Sequence, residues 1–209
     1  MTRDFRHCLR ERVLIFDGAM GTSIQDRNLT LDDFEGKDGC NEILVLTRPQ
    51  VIREIHAGFL AVGCDAIETN TFGASRLVLG EYDLADQAYE INRAAARLAR
   101  EVAADFSTPD RPRFVVGAIG PGTRLPSLGQ IGFDDLVAML TEQARGLIEE
   151  LRIFVAELGF PCSLKQVGLK TEDIGPILEA SKLSTSIKTN PRPLDDSLRA
   201  EVLAAAIAG

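Results

Sequence analysis

Closely spaced cysteines are missing from this 209-residue sequence. Its four cysteines, Cys8, Cys40, Cys64 and Cys162, lie far apart and form no CxxC pair. Short spacings pre-assemble most structural zinc sites, so a zinc site built from these four residues alone is not expected. In a chain without a secretory signal, the same residues are expected to be reduced thiols rather than disulfides.

Long apolar runs and basic stripes are also missing. No apolar run is long enough to span a bilayer, and the charged residues 1–12 are unlike a signal peptide. The formal net charge is −8, which argues against nucleic acid or an anionic membrane as the main partner. With 45% hydrophobic residues the composition is typical of a globular protein, and we expect it in the cytoplasm.

Several common catalytic motifs cannot be assembled from the sequence. Gly120-Pro121-Gly122 lacks a third glycine and an immediate helix, so the sequence predicts a structural loop there rather than a dinucleotide site. His56 lies next to Ile55 inside a predicted helix, which indicates a packed or solvated histidine rather than a base. No Ser-His-Asp or Cys-His arrangement is recognisable.

Three apolar segments alternate with helical patterns over the first two thirds of the chain. The segments Val13–Asp17, Ala66–Thr71 and Phe114–Ile119 are predicted strands, each apolar enough to be buried on both faces. Strands that alternate with helices in this order predict a parallel α/β sheet with right-handed crossovers. The pattern alone fits either the first part of a barrel or an open doubly wound sheet.

Two amphipathic helices are predicted between these strands. The first has Thr47 as its N-cap and Gly63 at its end, with an apolar face formed by Val51, Ile55, Phe59 and Val62. Proline-rich residues Pro109–Pro112 break the second, whose apolar residues recur every three to four positions: Leu84, Ala88, Ile91, Ala95, Leu98, Val102 and Phe106.

The alternation stops after Phe133. A helical period continues to Gly159 although a fourth strand would be needed near residue 150, and Lys165–Val167 is too short to replace it. The remaining residues predict an α-helical tail, with helices at Thr171–Lys182 and Asp195–Ala208 and a proline-rich turn at Thr189–Leu194.

Two acidic residues follow predicted strands and form a candidate binding site. Asp17 and Glu68 lie at the carboxyl ends of their strands, which share one edge of a parallel sheet, so together they could bind an ammonium group. Thr69, Asn70 and Thr71 add hydroxyl and amide groups beside Glu68. A purely structural alternative remains open, in which Asp17 caps an Asp-Gly turn and Glu68 pairs with a lysine or arginine.

Four strings occur in order and at natural spacing: Ile15–Thr22, Gly39–Leu44, Ile67–Phe72 and Ile119–Thr123. Together with Tyr89–Arg100, they closely resemble the amino-terminal homocysteine-binding domain of cobalamin-dependent methionine synthases. The resemblance covers about residues 10–149. It implies the first three βα units of a (βα)8 TIM barrel and a methyl transfer to the thiol of homocysteine.

The same resemblance implies a substrate site and two cofactors. Asp17 and Gly18 match the family's substrate-binding turn, and Glu68, Thr69 and Asn70 match the tip of its second strand. Zinc and cobalamin are implied at family level, with zinc favouring the thiolate that acts as nucleophile. The family's zinc ligands come from Asn-Cys and Gly-Gly-Cys-Cys segments, and neither stands at the corresponding place here.

From about residue 150 the sequence resembles a different family. Phe154–Pro161, Ser163–Gly168 and Thr189–Leu194 are similar to the helical carboxyl terminus of iron-dependent alcohol dehydrogenases and maleylacetate reductases. The sequence therefore predicts a partial methyltransferase barrel at 1–149 and a helical tail at 150–209, joined by a fusion, a frameshifted truncation or an assembly artefact. The resemblance carries over no metal ligand or catalytic residue from the second family.

These observations lead to one hypothesis and two alternatives. The leading hypothesis is a homocysteine S-methyltransferase chain that lacks its zinc site and is inactive alone. The alternatives are a catalytically inactive binding or scaffold remnant and a fragment of an iron-dependent dehydrogenase. An incomplete barrel leaves an unpaired strand edge and an uncovered apolar surface, so self-association is expected.

Overall fold

The computed structural model describes residues 5–157, 164–181 and 195–208. Two compact units divide the chain, Met1–Phe154 and Val155–Gly209. Among the described residues no helix is long and apolar enough to cross a membrane. The predicted boundary near residue 150 falls inside a helix, Phe133–Glu157, and stays a prediction.

A small parallel sheet organises the first unit. Strand β1 comprises Ala66–Glu68 and pairs in parallel with β2, Phe114–Val116, in a register that places Ala66 opposite Phe114. Phe16 forms a parallel bridge to Ala66 on the other side of β1. The three predicted segments therefore lie side by side, and the parallel α/β prediction is confirmed.

All three segments contain fewer strand residues than the sequence predicts, because side chains replace the backbone ladder. The Ile15 amide donates to the Asp65 carboxylate at 3.0 Å. Beyond β1, the Ala118 amide donates to the Thr69 hydroxyl at 3.0 Å. The predicted strands Val13–Asp17, Ala66–Thr71 and Phe114–Ile119 are thus reduced to the single bridge at Phe16 and two three-residue strands.

The helices between the strands are present with small shifts. Helix α3 is Leu44–Thr47 and α4 is Pro49–Val62, which ends at Gly63 as predicted, with φ 113°. The predicted N-cap is wrong because the Thr47 hydroxyl donates instead to the Asp33 carbonyl oxygen at 2.7 Å. The helix face is also rotated by one position, so that Val62 is 83% exposed and the fully or nearly buried residues are Ile52, Ile55, His56 and Leu60.

Helix α6, Ala88–Phe106, packs against α4 on one face of the sheet. Its predicted apolar face is confirmed, since Ala88, Ile91, Ala95, Leu98 and Val102 are all buried. Leu84 is buried as well but precedes a 3₁₀ turn at Ala85–Gln87, so the helix starts later than the periodicity suggests.

The remaining helices include one long helix, α7, and several shorter ones. In chain order they are α1 Phe5–Glu11, α2 Met20–Gln25, α5 Arg76–Leu79, α7 Phe133–Glu157, α8 Ile174–Ser181 and α9 Asp196–Ala208. Single 3₁₀ turns occur at Leu31–Phe34, Asn41–Ile43, Gly80–Tyr82, Pro126–Leu128, Leu164–Val167 and Thr171–Asp173.

The second unit is helical where it is described. Helices α8 and α9 pack together, and Arg199 Nη1 donates to Ser181 Oγ at 3.0 Å. The predicted helix at Thr171–Lys182 becomes a 3₁₀ turn followed by α8. The predicted turn Thr189–Leu194 lies outside the described residues.

Helix α1 covers part of the sheet face opposite α4 and α6. Cys8 and Leu14 are buried there with Ala66 and Phe114. The Phe5 ring meets the Phe114 ring edge-on at 5.2 Å between centroids. The amino-terminal segment therefore covers apolar surface that the strand pattern alone leaves open.

Asp65 joins the amino ends of the strands. Its carboxylate is 1% exposed and accepts two hydrogen bonds from Arg12, at 2.7 and 2.8 Å, besides the Ile15 amide. Arg113 Nη1 lies 3.6 Å away, and the Asp65 carbonyl oxygen accepts from the Phe114 amide at 2.9 Å. The Arg12 guanidinium holds the pKa of this carboxyl below its usual range.

We expect Asp65→Asn to lower the free energy of unfolding by about 3 kcal/mol, because the buried Arg113 then lacks a nearby carboxylate and the half-exposed Arg12 loses its charged partner. Urea unfolding near neutral pH measures the change. Asp110→Asn, at an exposed carboxylate, is the matched control and should change the value by less than about 0.5 kcal/mol. Equal effects of the two substitutions would contradict the structural role of Asp65.

Candidate functional site

Asp17 and Glu68 meet at the carboxyl edge of the sheet, as the strand order predicts. The Asp17 amide donates to the Ala66 carbonyl oxygen at 3.0 Å, which continues the parallel pairing past Phe16. Asp17 Oδ1 then accepts a hydrogen bond from the Glu68 amide at 2.9 Å. The Asp17 side chain thus fixes the position of the Glu68 backbone.

Asp17 is a buried carboxylate without a cationic partner among the described residues. Its side chain is 5% exposed, and Oδ2 lies 3.9 Å from Nδ1 of His56. Burial raises the pKa of Asp17 to about 6, although the Glu68 amide acts in the opposite direction. Burial also lowers the pKa of His56 to about 4, so this imidazole is neutral at physiological pH.

Glu68 differs from Asp17 in its surroundings. Glu68 is exposed, and within the described part of the chain no lysine or arginine pairs with its carboxylate. The alternative in which Glu68 forms an ion pair with such a residue therefore finds no support. The structural alternative for Asp17 was that it caps its own Asp-Gly turn. Its carboxylate does accept a hydrogen bond from a backbone amide, but this amide belongs to Glu68 on the neighbouring strand.

Thr69 and Thr71 tie the ends of β1 and β2 together. Thr71 Oγ1 donates to the Ala118 carbonyl oxygen at 2.7 Å, and the Ala118 amide donates to Thr69 Oγ1. The two hydroxyl oxygens are 2.6 Å apart. Each hydroxyl has a single proton, so Thr69 donates to Thr71. The Thr69 side chain is fully engaged within the protein, and it shapes the edge instead of facing solvent.

A loop from an earlier part of the chain supports this edge. Asn70 is 5% exposed, and its Nδ2 donates to the Asn41 carbonyl oxygen at 2.8 Å. Glu42 Oε1 accepts from the Gly73 amide at 2.8 Å, and a Cβ at Gly73 would stand only 2.7 Å from that oxygen. Both loop residues belong to the string Gly39–Leu44, which therefore supports the residues that follow β1.

Gly18 has open space beside it. A Cβ at this position would meet nothing within 4 Å, and the residue is exposed. Gly120 is the opposite case, since a Cβ there would stand 2.4 Å from the Phe72 carbonyl oxygen. The loop after β2 can therefore approach the β1 tip only with glycine at this position, whereas the space beside Gly18 is open.

Two residues in contact with this edge were not predicted from the sequence. Gln143 of α7 is fully buried and donates to the Thr71 carbonyl oxygen at 2.7 Å. His56 of α4 faces Asp17. In the sequence, each residue is visible only as a polar side chain on the apolar face of a helix. This pattern does not show which residue elsewhere in the chain it contacts.

The described residues do not offer a ligand set for zinc. They contain no group of three or more histidine, cysteine, aspartate or glutamate residues that could hold a metal ion. Cys8, Cys40 and Cys64 are buried free thiols, and burial raises the pKa of Cys40 and of Cys64, which disfavours the thiolate. Cys162 lies outside the described residues.

A separate groove of about 680 Å³ lies between α5 and the start of α7. Neither Asp17 nor Glu68 lines it. Its walls mix both charges with apolar residues, including Arg76, Arg124, Glu142 and Met139. Arg76 is already paired with Asp86 and lies 3.7 Å from Glu142. The groove is therefore distinct from the edge described above.

Comparisons of this chain with a family model and with known proteins agree with each other. The family model for homocysteine S-methyltransferase matches residues 14–163. The methionine synthases of Mycobacterium tuberculosis (strain ATCC 25618 / H37Rv) and Mycobacterium leprae (strain TN) are each 46% identical over 146 residues, which is 70% of this chain. The chain spans only 12% of the length of these relatives.

Solved structures support the fold. The homocysteine methyltransferase MmuM from Escherichia coli, in its metallated form, superposes with a TM-score of 0.56 at 19% identity. The match covers 69% of this chain and 53% of that structure. The oxidized form of the same protein gives the same TM-score at 20% identity.

We expect Asp17→Asn to stabilise the protein near neutral pH. The folded-state pKa of about 6 lies above the unfolded value, so the ionised carboxylate costs folding free energy above pH 6 and nothing once both states are protonated. Asparagine keeps an acceptor for the Glu68 amide. The gain in unfolding free energy should be about 1–2 kcal/mol near neutral pH and should vanish below about pH 3, where the unfolded state is protonated as well.

Urea unfolding of both proteins at the two pH values measures this difference. Glu68→Gln is the matched control because its carboxylate is exposed, and it should change stability by less than about 0.5 kcal/mol. A loss of stability in Asp17→Asn near neutral pH would show that the carboxylate already has a cationic partner.

Proposed function

Because this chain belongs to the homocysteine S-methyltransferase family, we propose that its first unit binds homocysteine for methyl transfer to the homocysteine sulfur. The observation that carries the proposal is the pair formed by Asp17 and Glu68. One carboxylate is buried without a cation and the other is exposed, and a single hydrogen bond fixes the two residues against each other.

The pair suits the amino group of an amino acid. Asp17 has no cationic partner among the described residues, and a ligand ammonium group would provide one. Charge-assisted hydrogen bonds to carboxylates are among the stronger polar contacts. Glu68 provides a second acceptor from the solvent side. Gly18 leaves space for the ligand, and Thr69 and Asn70 keep the β1 tip in place through their bonds to Ala118 and Asn41.

We further propose that the first unit comprises the first three βα units of a (βα)8 barrel. The parallel order of Phe16, β1 and β2 supports this, as does the superposition on 53% of a homocysteine methyltransferase structure. In such a barrel the carboxyl ends of all strands form the ligand-binding face. Within the described residues β2 has a free outer edge, which is the basis for proposing self-association.

Zinc and cobalamin are implied only by the similarity to methionine synthases, and the proposal assigns neither of them to this chain. Zinc would favour the thiolate of bound homocysteine, but the described residues do not fit a zinc site. No step is therefore assigned to either group. The described residues bind and orient the amino acid. Its sulfur gives up its proton to water and forms the new bond to the methyl group, while the bond between the methyl group and its donor breaks and leaves its electron pair on the donor.

Because the described residues offer no fitting set of zinc ligands, we propose as a second candidate a chain that binds homocysteine without methylating it. We also propose that the tail from about residue 150 has a separate origin, related to iron-dependent alcohol dehydrogenases. The division into compact units at residue 154 supports a change there, while the family-model match continues to residue 163. Buried free thiols at Cys8, Cys40 and Cys64 are consistent with a cytoplasmic location.

Homocysteine should bind with a dissociation constant of about 1 mM, because two carboxylate contacts barely offset the cost of immobilising a small ligand. Calorimetric or NMR titration measures it. Asp17→Asn and Glu68→Gln should each weaken binding by about tenfold or more. Asp110→Asn is the control that should leave binding unchanged. Micromolar binding that neither site substitution affects would show that the site lies elsewhere.

The purified chain should contain no stoichiometric zinc and should not methylate homocysteine on its own. The reason is that the residues placed by the structure include no set of zinc ligands, and that burial raises the pKa of the Cys40 and Cys64 thiols. Elemental analysis after dialysis against zinc measures the content. One tightly bound zinc per chain that is lost in Cys40→Ser or Cys64→Ser would contradict this expectation.

A further inference from the structure

His56 is an unusual residue for the apolar face of α4. Its side chain is fully buried, and neither ring nitrogen has a hydrogen-bond partner within the described part of the structure. Buried polar atoms normally have partners, and an imidazole without them weakens the fold relative to an apolar side chain. Its neighbours Ile55 and Ile52 on the same face show that aliphatic residues fit this environment.

The imidazole lies next to the substrate-binding carboxylate. Nδ1 of His56 is 3.9 Å from Oδ2 of Asp17, while Oδ1 of Asp17 is held by the Glu68 amide. One carboxylate oxygen therefore has a fixed partner, and the other faces a ring nitrogen at a distance slightly too long for a hydrogen bond. A shift of about 1 Å by either side chain would form that bond.

We propose that His56 is a positioning residue that holds the Asp17 carboxylate in its ionised, ligand-ready orientation by presenting Nδ1–H to Oδ2. The inference deepens the proposed function, on which its binding part rests. A neutral imidazole with its proton on Nδ1 donates to one oxygen and adds no charge. The carboxylate therefore keeps its full negative charge for the ammonium group of the ligand.

The electrostatic surroundings of Asp17 support this role. The titratable groups near its carboxylate are Glu68 on β1, Cys64 just before β1 and His56 on α4. Glu68 disfavours ionisation of Asp17, and the Cys64 thiol is neutral and donates to the Phe16 carbonyl oxygen. Among these side chains His56 is the one whose proton can stabilise the ionised form of Asp17.

A matched pair of substitutions tests the proposal. In His56→Asn the side-chain amide occupies the place of Nδ1 and retains a donor, whereas His56→Leu has a similar size and no donor. The readouts are the pKa of the Asp17 carboxyl, from carbon NMR titration of the full chain without ligand, and the homocysteine dissociation constant. His56→Leu should raise that pKa by about one unit and weaken binding about tenfold, and His56→Asn should stay close to the unsubstituted chain.

The outcomes separate this inference from the proposed function. Equal pKa values in the two variants overturn the role of His56, whatever the binding result, because the residue then only fills space. Absence of homocysteine binding in the unsubstituted chain, with the pKa difference present, overturns the proposed function and leaves the coupling to Asp17 supported. If His56→Leu does not fold, nitrogen NMR of His56 replaces it. Asp17→Asn should then change the His56 ring shifts, and unchanged shifts would overturn the proposal.

Discussion

Asp65 brings three chain segments together through both its side chain and its backbone. The carboxylate binds Arg12 and the Ile15 amide, and the carbonyl oxygen binds the Phe114 amide. The sheet has only two three-residue strands and one bridge, so its few ladder bonds cannot set the register alone. The position of Asp17 beside Glu68, at the opposite edge, depends on this register. A slip by one residue would separate the two carboxylates.

The edge at which we propose that the ligand binds combines groups that stabilise the fold with groups that do not. An ionised carboxylate at Asp17 and an imidazole without partners at His56 both weaken the folded state, and the surrounding structure compensates through well-satisfied contacts such as those of Thr69 and Thr71. Unfavourable burial of polar groups in one small region is a common property of binding and catalytic sites. The same burial favours an ammonium ligand, because the positive charge of the ligand would pair with the buried Asp17 carboxylate.

Local patterns in the sequence predicted the order of elements, the buried face of α6 and the end of α4 at Gly63, because periodicity and glycine caps act over a few residues. Contacts between distant residues were not predictable in the same way. Thr47 fits an N-cap, yet its hydroxyl binds the Asp33 carbonyl oxygen. Likewise, no local sequence pattern links His56 to Asp17. The two residues are thirty-nine positions apart in the sequence, yet Nδ1 of His56 lies 3.9 Å from Oδ2 of Asp17. The pairing of Asp17 with Glu68 was accessible because parallel strands end at a common edge.

The proposed site places the amino group of homocysteine between Asp17 and Glu68. The most direct measurement is a nitrogen–proton NMR titration of the labelled chain with homocysteine and, separately, with 4-mercaptobutyrate, which has the thiol and carboxylate but no amino group. We expect homocysteine to shift the backbone amides of Gly18, Glu68 and Ala118, and 4-mercaptobutyrate to leave them unchanged. Equal shifts with both ligands, or shifts confined to the groove near Arg76 and Glu142, would contradict binding of the amino group at this site.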